Sequence, residues 1–336
     1  MTVEELNKQI KSGSFKPVYF FFGDEQYLLS HKIDAIKKKL ISPGMEDFNL
    51  FRFEGKKIDI NGVFEAVEQF PQMSQGKVVI VKNSGFFNNA NSKEYKRIKE
   101  EAADLPEYTC LIFAEESFDK KKEKNLKFIE EVGGVVSFDY LPVNKVEVWL
   151  DDKFRKEEKM IAPKEVSYII KLCGQSLGKI QTEFEKLLNY LGDRNKVTRE
   201  DIDAVVDKTV EYRVYDMLDN IMAGRSALAS EQMKYLKDNN EQPTDILGIM
   251  MTKLSELLMC KLLSENGVSP QEMLDYFDFK RPIFVVNKTI QESKRYGEPY
   301  LKRMIKKGLK YDADIKSGLI DGWTAAELYL AELIKK

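Results

Sequence analysis

The chain has 336 residues with an apolar fraction of 43% and a charged fraction of 32%, proportions typical of a soluble globular protein of two or three domains. A formal net charge of −2 excludes a global positive field, so any contact with DNA has to be local or shared with partners. One histidine and three widely spaced cysteines exclude an ordinary zinc site and a histidine-dependent catalytic triad.

The three cysteines, Cys110, Cys173 and Cys260, lie in apolar contexts, which is typical of reduced and buried thiols. The N-terminal residues carry no export signal, and no apolar run approaches the length of about 18 residues that a membrane helix needs. These features predict a cytoplasmic protein.

The first 142 residues alternate predicted strands with predicted helices. The strands fall at 18–22, 49–53, 78–81, 110–114 and 135–139, and the helices at 25–40, 61–70, 92–103 and 120–132. Strands separated by helices of this length predict a mostly parallel sheet with right-handed crossovers. The unbroken apolar run Val18–Phe22 is typical of a strand covered on both faces.

After residue 142 the strand pattern stops and helical periodicity continues to the end of the chain. Predicted helices cover 145–160, 163–172, 176–191 and 198–206, and a second helical block after residue 211 includes a long helix at 244–265. We therefore predict three domains, an α/β domain at 1–142, a small helical domain at 143–210 and a larger helical domain at 211–336.

The stretch after the first strand has the spacing of a phosphate-binding loop without its chemistry. Gly23 and Ser30 match the ends of the pattern G-x-x-x-x-G-K-[S/T], but Leu28 and Leu29 stand at the Gly and Lys positions. A branched side chain at 28 obstructs the close approach of backbone to phosphate, and Leu29 supplies no charge. This loop should not hold ATP in the usual way.

Two further positions lack the groups that an ATPase needs. The strand 78–81 ends in Lys82-Asn83, where an active ATPase carries acidic residues for magnesium. In the segment 173–180 an arginine for the γ-phosphate would fall on Leu177 or Gly178. Together the three losses favour a nucleotide-binding architecture used as a scaffold, although coincidence and an ordinary helix–turn–helix capped by Gly174 explain the separate patterns equally well.

These residues resemble the delta subunit of the bacterial DNA polymerase III clamp loader. The resemblance covers essentially the whole chain and rests on P-V-Y-F-F-F-G-D-E-Q-Y-L-L at 17–29, F-P-Q-M-S at 70–74, the helix at 174–188 with Glu183, Glu185 and Lys186, and D-A-D-I-K-S-G at 312–318. It implies a RecA-like (AAA+-type) domain without a functional phosphate loop, then a three-helix lid and a helical collar through which the subunits assemble.

The resemblance also implies a function. Such a subunit of the polymerase holoenzyme has no ATPase activity of its own and requires no cofactor or metal. It binds the ring-shaped sliding clamp, the beta subunit, and holds one ring interface open for loading on primed DNA. The implied partners are the clamp, the gamma/tau and delta-prime subunits that join through the collar, and primed DNA within the assembled complex.

The segment 63–73 is predicted to be an amphipathic helix that runs into a short exposed tip. Pro71 should end the helix, because it disfavours α geometry at Phe70 and cannot continue the hydrogen-bond ladder. Phe70 and Met73 then flank the break, and apolar groups placed in this way can enter a hydrophobic pocket of a partner.

Periodicity alone leaves an alternative for Phe70. With Phe64 and Val67 it forms one stripe of helical spacing, and this periodicity alone favours a core residue. The resemblance places the clamp contact at Phe70, Pro71, Gln72 and Met73, with Met73 as the main anchor. Gln72 stands where the family usually carries an apolar residue, so a weaker hydrophobic contact is expected there.

Other charged clusters have simpler interpretations. The acidic pairs 24–25, 115–116 and 151–152 have no histidine or metal cluster beside them, so catalysis is not expected. The basic residues Lys302, Arg303, Lys306 and Lys307 can line a DNA path or pair with neighbours such as Glu298. Two alternative functions stay open, namely a helical adaptor outside replication and an AAA+ ATPase with an unusual phosphate loop.

Overall fold

The apolar run after Pro17 forms the first strand of a five-stranded, entirely parallel sheet in a computed structural model that describes residues 1–276 and 283–335. The strand order is β2-β3-β4-β1-β5. The strands are β1 (Val18–Phe22), β2 (Leu50–Glu54), β3 (Lys77–Lys82), β4 (Thr109–Glu115) and β5 (Gly134–Ser137). All five predicted strands are confirmed, with ends that differ by at most two residues.

Both faces of the sheet are covered by helices, as the composition of β1 predicts. Along β1, Phe20 belongs to one buried cluster and Phe21 to the other, because successive side chains point to opposite faces. The six α-helices of this region are α1 (Val3–Ser12), α2 (Gln26–Leu40), α3 (Glu46–Asn49), α4 (Ile60–Glu68), α5 (Lys93–Glu101) and α6 (Lys127–Val132). The apolar side of α4 packs in the cluster of Phe20, and that of α2 in the cluster of Phe21.

One predicted helix differs in type from the observed structure. The segment predicted as α-helical from 120 to 132 is a 3₁₀ helix over Lys120–Leu126 and becomes α-helical only in α6. The carbonyl of Asn125 accepts a hydrogen bond from the Tyr95 hydroxyl, and its side-chain amide donates to Phe87. The first of these bonds gives the Asn125 carbonyl a partner outside the helical ladder.

The described residues from 143 onward form helices joined by loops, apart from one isolated β-bridge between Met160 and Lys196. They form α7 (Val143–Lys156), α8 (Pro163–Cys173), α9 (Leu177–Leu191), α10 (Arg199–Val205), α11 (Val210–Met222), α12 (Ser226–Asp238), α13 (Pro243–Glu265), α14 (Pro270–Met273), α15 (Ile283–Ser293), α16 (Glu298–Lys316) and α17 (Gly322–Ile334). The long helix predicted at 244–265 is confirmed as α13, which begins with Pro243 at its first position. In the described part of the chain no helix is both long and apolar enough to span a bilayer.

The chain divides into two compact units. The first comprises Met1–Leu141 with Ser176–Gly178, and the second comprises Pro142–Gln175 with Lys179–Lys336. The predicted boundary after residue 142 lies one residue from the end of the first unit, and the division at 210 stays a prediction. The range 143–210 contains the four helices α7 to α10, one more than the three-helix lid that the resemblance implies.

Candidate partner-binding site

Two large apolar side chains stand exposed on residues 70–74, here called the tip. Phe70 is 79% exposed and Met73 is 85% exposed. Helix α4 ends at Glu68, and Gln69 turns the chain out of helical geometry with ψ at 139°. Pro71 follows within two residues, as expected where a helix cannot continue.

The alternative that Phe70 belongs to the core stripe of α4 is wrong. Phe64 and Val67 are buried against the sheet, but the chain leaves the helix before Phe70. The Phe70 ring instead lies 5.1 Å from the ring of Tyr108, centroid to centroid, on the outside of the unit. Helical spacing predicts a shared face only while the helix lasts.

The C-terminal end of α4 is held by side chains from the start of β3 and β4. Four consecutive carbonyl groups accept hydrogen bonds from them. The pairs are Lys77 Nζ with the carbonyls of Ala66 and Gln69, Thr109 Oγ1 with Val67 and Tyr108 Oη with Glu68. The last carbonyls of a helix have no partner within the helix, so these bonds fix its end.

Lys77 is fully buried although it carries an amino group. Burial lowers the pKa of Lys77 to about 8, and the nearby Glu68 carboxylate opposes that shift. The Nζ atom lies 5.5 Å from the ring centroid of Tyr108 and 5.9 Å from that of Phe51. The amino group is therefore surrounded by carbonyl oxygens and aromatic faces directly beneath the tip.

The middle of the tip is held by Asn49, the last residue of α3. The Gln72 backbone N–H donates to Asn49 Oδ1 at 2.7 Å, and Asn49 Nδ2 donates to the Gln72 carbonyl at 2.8 Å. Asn49 Nδ2 also donates to Met45 O at 2.9 Å and Ser74 Oγ at 3.1 Å. The side chain of Gln72 stays exposed, so only its backbone is fixed.

No sequence signal marks Asn49 or its exposed neighbour Phe48 as part of a site. The strand predicted from residue 49 begins one residue later, because Asn49 closes the four-residue helix α3. Phe48 is 53% exposed and precedes the residue that pairs with the tip. Asn49 and Gln72 are 23 residues apart, and no local sequence signal indicates a contact at that separation.

The loop after β1 lies at the opposite edge of the sheet from the tip. Gly23 follows the C-terminal end of β1, whereas the tip precedes the N-terminal end of β3, and all strands are parallel. Gly23 has φ at 130°, and a side chain there would collide with the backbone of Phe138. The Glu25 N–H donates to the Phe138 carbonyl at 2.8 Å, so this amide is already bonded within the protein.

A buried carboxylate occupies the N-terminal end of α2. Glu25 Oε2 accepts from the backbone N–H of Leu177 at 3.0 Å, and Ser176–Gly178 belong to the same compact unit. Burial raises the pKa of Glu25, while the N–H groups of Leu177, Tyr27 and Leu28 oppose the shift. A helix N-terminus favours an anion, and here the protein supplies that anion itself.

The other positions at which an ATPase would carry nucleotide-binding groups are packed against, or bonded to, this chain itself. Leu29 is 1% exposed in the core of the α2 face, whereas Leu28 and Ser30 are half-buried. Lys82 is half-buried at the end of β3, and the side chain of Asn83 exchanges two hydrogen bonds with Glu116. Among the described residues, no cluster of His, Cys, Asp or Glu is arranged to hold a metal ion.

Two models of one protein family match this chain. The model described as "DNA polymerase III, delta subunit" matches residues 19–139, and "DNA polymerase III delta subunit, C-terminal domain" matches residues 211–333. The chain belongs to the DNA polymerase III delta subunit family. The first match includes both the tip and the loop after β1.

Relatives of the delta family match over most or all of the chain. DNA polymerase III subunit delta of Bacillus subtilis (strain 168) is 25% identical over 344 residues, which cover 99% of this chain and 97% of the relative. The probable delta subunit of Aquifex aeolicus (strain VF5) is 21% identical over 258 residues, 74% of this chain and 72% of the relative.

A solved structure of the delta family has the same fold. The structure of the Bacillus subtilis DNA clamp loader delta protein aligns with a TM-score of 0.60 at 23% identity, covering 99% of this chain and 100% of that chain. The expected architecture, an α/β domain with a parallel sheet followed by helical domains, is therefore confirmed.

Proposed function

We propose that this chain is the clamp-opening subunit of a bacterial clamp loader. In this proposal it binds the sliding clamp through Phe70 and Met73 and holds one ring interface open, and it hydrolyses no ATP. The observation that carries the proposal is the exposure of two large apolar side chains on a backbone turn held by the hydrogen bonds of the buried Asn49 side chain. The names of its relatives, delta subunits of DNA polymerase III, support a clamp-loader role.

The energy available at the tip suits a specific partner. Burying a Phe or a Met side chain contributes roughly 1.5–3 kcal/mol each. Together with a few backbone contacts, two such anchors account for binding near the micromolar range, which corresponds to about 8 kcal/mol. Exposed aromatic and methionine side chains on an ordered turn are typical of interface anchors, because a partner pocket removes them from water without large rearrangement.

A titration of the chain against the sliding clamp of the same organism, without nucleotide, tests the proposal directly. Fluorophores placed across one clamp interface report opening as a loss of energy transfer when the chain binds. Saturable binding with opening supports the proposal. A folded chain that does not bind the clamp favours the adaptor outside replication.

We expect the isolated chain to bind no Mg-ATP at concentrations of about 1 mM. A dissociation constant of that size corresponds to a binding free energy of about 4 kcal/mol. The Glu25 N–H is bonded to Phe138, and the Glu25 carboxylate would repel a phosphate at the same helix end. Isothermal titration calorimetry of the parent and of Lys82→Asp checks this expectation. Binding by the parent that becomes stronger in Lys82→Asp would support the AAA+ ATPase with an unusual loop.

Replacement of Gln72 by leucine should strengthen clamp binding about tenfold. The Gln72 side chain is exposed between the two anchors, and its backbone bonds to Asn49 do not depend on the side chain. An added apolar contact of about 1.4 kcal/mol corresponds to that factor. The titration above measures it, with Gln271→Leu at another exposed position as control. Equal affinity of Gln72→Leu and the parent would show that position 72 stays in water in the complex.

Assembly through the C-terminal helices is part of the same proposal. Helices α16 and α17 and the turn between them expose Leu309, Leu319 and Leu328. Exposed apolar side chains on neighbouring helices suit contacts with other subunits, here the gamma/tau and delta-prime subunits. Lys302 and Lys307 form ion pairs with Glu298 and Glu332, so a role of this basic cluster toward primed DNA stays a prediction.

A further inference from the structure

We infer that Asn49 and Lys77 are positioning residues for clamp binding, which hold the tip in its binding conformation before the clamp arrives. The inference rests on the proposed function, because it assigns a role to residues that do not themselves contact the clamp. It concerns the backbone beneath the anchors rather than the anchors Phe70 and Met73.

The side-chain amide of Asn49 pairs with the backbone of Gln72 in the way that a peptide group of a neighbouring β-strand would. Its side-chain amide accepts from the Gln72 N–H and donates to the Gln72 carbonyl, so both backbone groups of one residue are paired. The amide is fully buried, and its bond to the Met45 carbonyl fixes its orientation. Because Gln72 lies between the anchors, this pairing determines how far apart they stand.

Lys77 fixes the point where the tip leaves the helix. Its Nζ atom donates to the carbonyls of Ala66 and Gln69, and the latter is the last residue before the tip. An amino group with no exposed surface is costly to bury, so its retention at this place calls for a role that an apolar side chain cannot supply. Binding two carbonyls at a helix end is such a role.

The backbone of Met73 shows why the tip needs support. Its φ angle is 50°, in the left-handed region that non-glycine residues rarely adopt. A residue persists in that region only when its surroundings determine it. Asn49 donates to the carbonyl of Gln72 on one side of Met73 and to the hydroxyl of Ser74 on the other. Ordering the turn in advance removes an entropic cost from binding.

The test compares clamp affinities of full-length Asn49→Ala, Lys77→Met and Asn125→Ala. Asn125 is the matched control, because it is a buried amide of the same unit whose side chain bonds the Phe87 carbonyl instead of the tip. We expect at least tenfold weaker binding for the first two variants and parental affinity for the control. Hydrogen exchange at the Gln72 amide should accelerate in Asn49→Ala and remain slow in Asn125→Ala.

A double-mutant cycle separates positioning from general destabilisation. In the parent, Asn49→Ala should weaken clamp binding at least tenfold. In the Met73→Ala background the same change should weaken clamp binding less than about threefold, because the anchor that Asn49 positions is already absent. Equal factors in both backgrounds would overturn the inference. If Asn49→Ala does not fold, Asn49→Asp replaces it, since this variant keeps the side-chain volume and the acceptor but loses the donor to the Gln72 carbonyl.

The outcomes distinguish the inference from the proposed function. Parental affinity of a folded Asn49→Ala, together with lost binding in Phe70→Ala/Met73→Ala, overturns the positioning role and leaves the function standing. Absence of clamp binding by the parent overturns the proposed function, and the inference falls with it. Weakened binding with parental thermal unfolding and faster exchange at Gln72 supports both.

Discussion

The Phe70→Ala/Met73→Ala variant should bind the sliding clamp about 100-fold more weakly than the parent and unfold at the same temperature. Both side chains are mostly exposed, so their truncation removes little buried surface from the folded chain. In the proposed complex they are desolvated, and losing roughly 1.5–3 kcal/mol at each is more than sufficient for a factor of 100. The effect therefore appears in binding and is absent from stability.

The two anchors should contribute unequally. Phe70 already contacts the ring of Tyr108 in the free chain, whereas Met73 has the larger exposed fraction. We expect Met73→Ala to lose more affinity than Phe70→Ala, because the Phe70 ring is already partly shielded from water by Tyr108 before the partner binds. Fluorescence titrations of the single variants against the clamp provide the comparison.

A second exposed pair provides the control for this experiment. Met160 and Tyr190 are also mostly exposed, and both lie in the helical second unit. The Met160→Ala/Tyr190→Ala variant removes a comparable apolar surface and should bind the clamp like the parent. If the tip variant retains full affinity, the clamp contact lies elsewhere on the chain, whereas equal losses in both double variants would point to non-specific apolar adhesion.

Glu292→Ala should lower the free energy of unfolding of the helical second unit by about 3–5 kcal/mol. Glu292 Oε2 lies 2.7 Å from Lys253 Nζ, and each side chain is at most 10% exposed. Lys288 Nζ approaches the other carboxylate oxygen at 3.2 Å. Removing the carboxylate leaves the buried Lys253 ammonium without its partner, and an uncompensated buried charge is among the costliest single changes in a protein core.

The same pair predicts a pH dependence. Burial by itself would raise the pKa of Glu292, but the hydrogen bonds and charges of Lys253 and Lys288 outweigh it and hold the pKa below its usual value. The stabilisation is therefore complete above the unfolded-state pKa of about 4.3 and is lost as the pH falls through the lower folded-state value. Urea unfolding of parent and Glu292→Ala should converge as the pH decreases in that range.

Two comparisons make the stability prediction specific. Lys302 and Glu298 form an exposed pair on α16, and Glu298→Ala should change stability by less than about 1 kcal/mol. The double variant Lys253→Met/Glu292→Leu should lose less free energy of unfolding than Glu292→Ala alone, because it leaves no buried charge unpaired. If Glu298→Ala lowers the free energy of unfolding as much as Glu292→Ala does, burial of the ion pair is not the cause of the large effect.

The sheet, the long helices and the absence of a lysine at position 29 follow from residues that are close together in the chain. The run Val18–Phe22 has no charged residue and is typical of a strand covered on both faces, and Pro243 indicates where α13 begins. A leucine at position 29 cannot supply the charge of a phosphate-binding lysine in any conformation. Pro71 limits how far a helix can continue toward it, and α4 ends at Glu68, before that limit. All these conclusions depend on one residue or on neighbours along the chain.

The side chains that form the tip, and the groups that hold it, become evident only from the packed structure. Helical spacing groups Phe70 with the buried Phe64, and only the path of the chain after Glu68 separates them. Asn49 meets Gln72 across 23 residues, and Lys77 reaches back to the end of the preceding helix. Periodicity describes positions along a single element, whereas these hydrogen bonds join elements that become neighbours only when the sheet and its helices have packed.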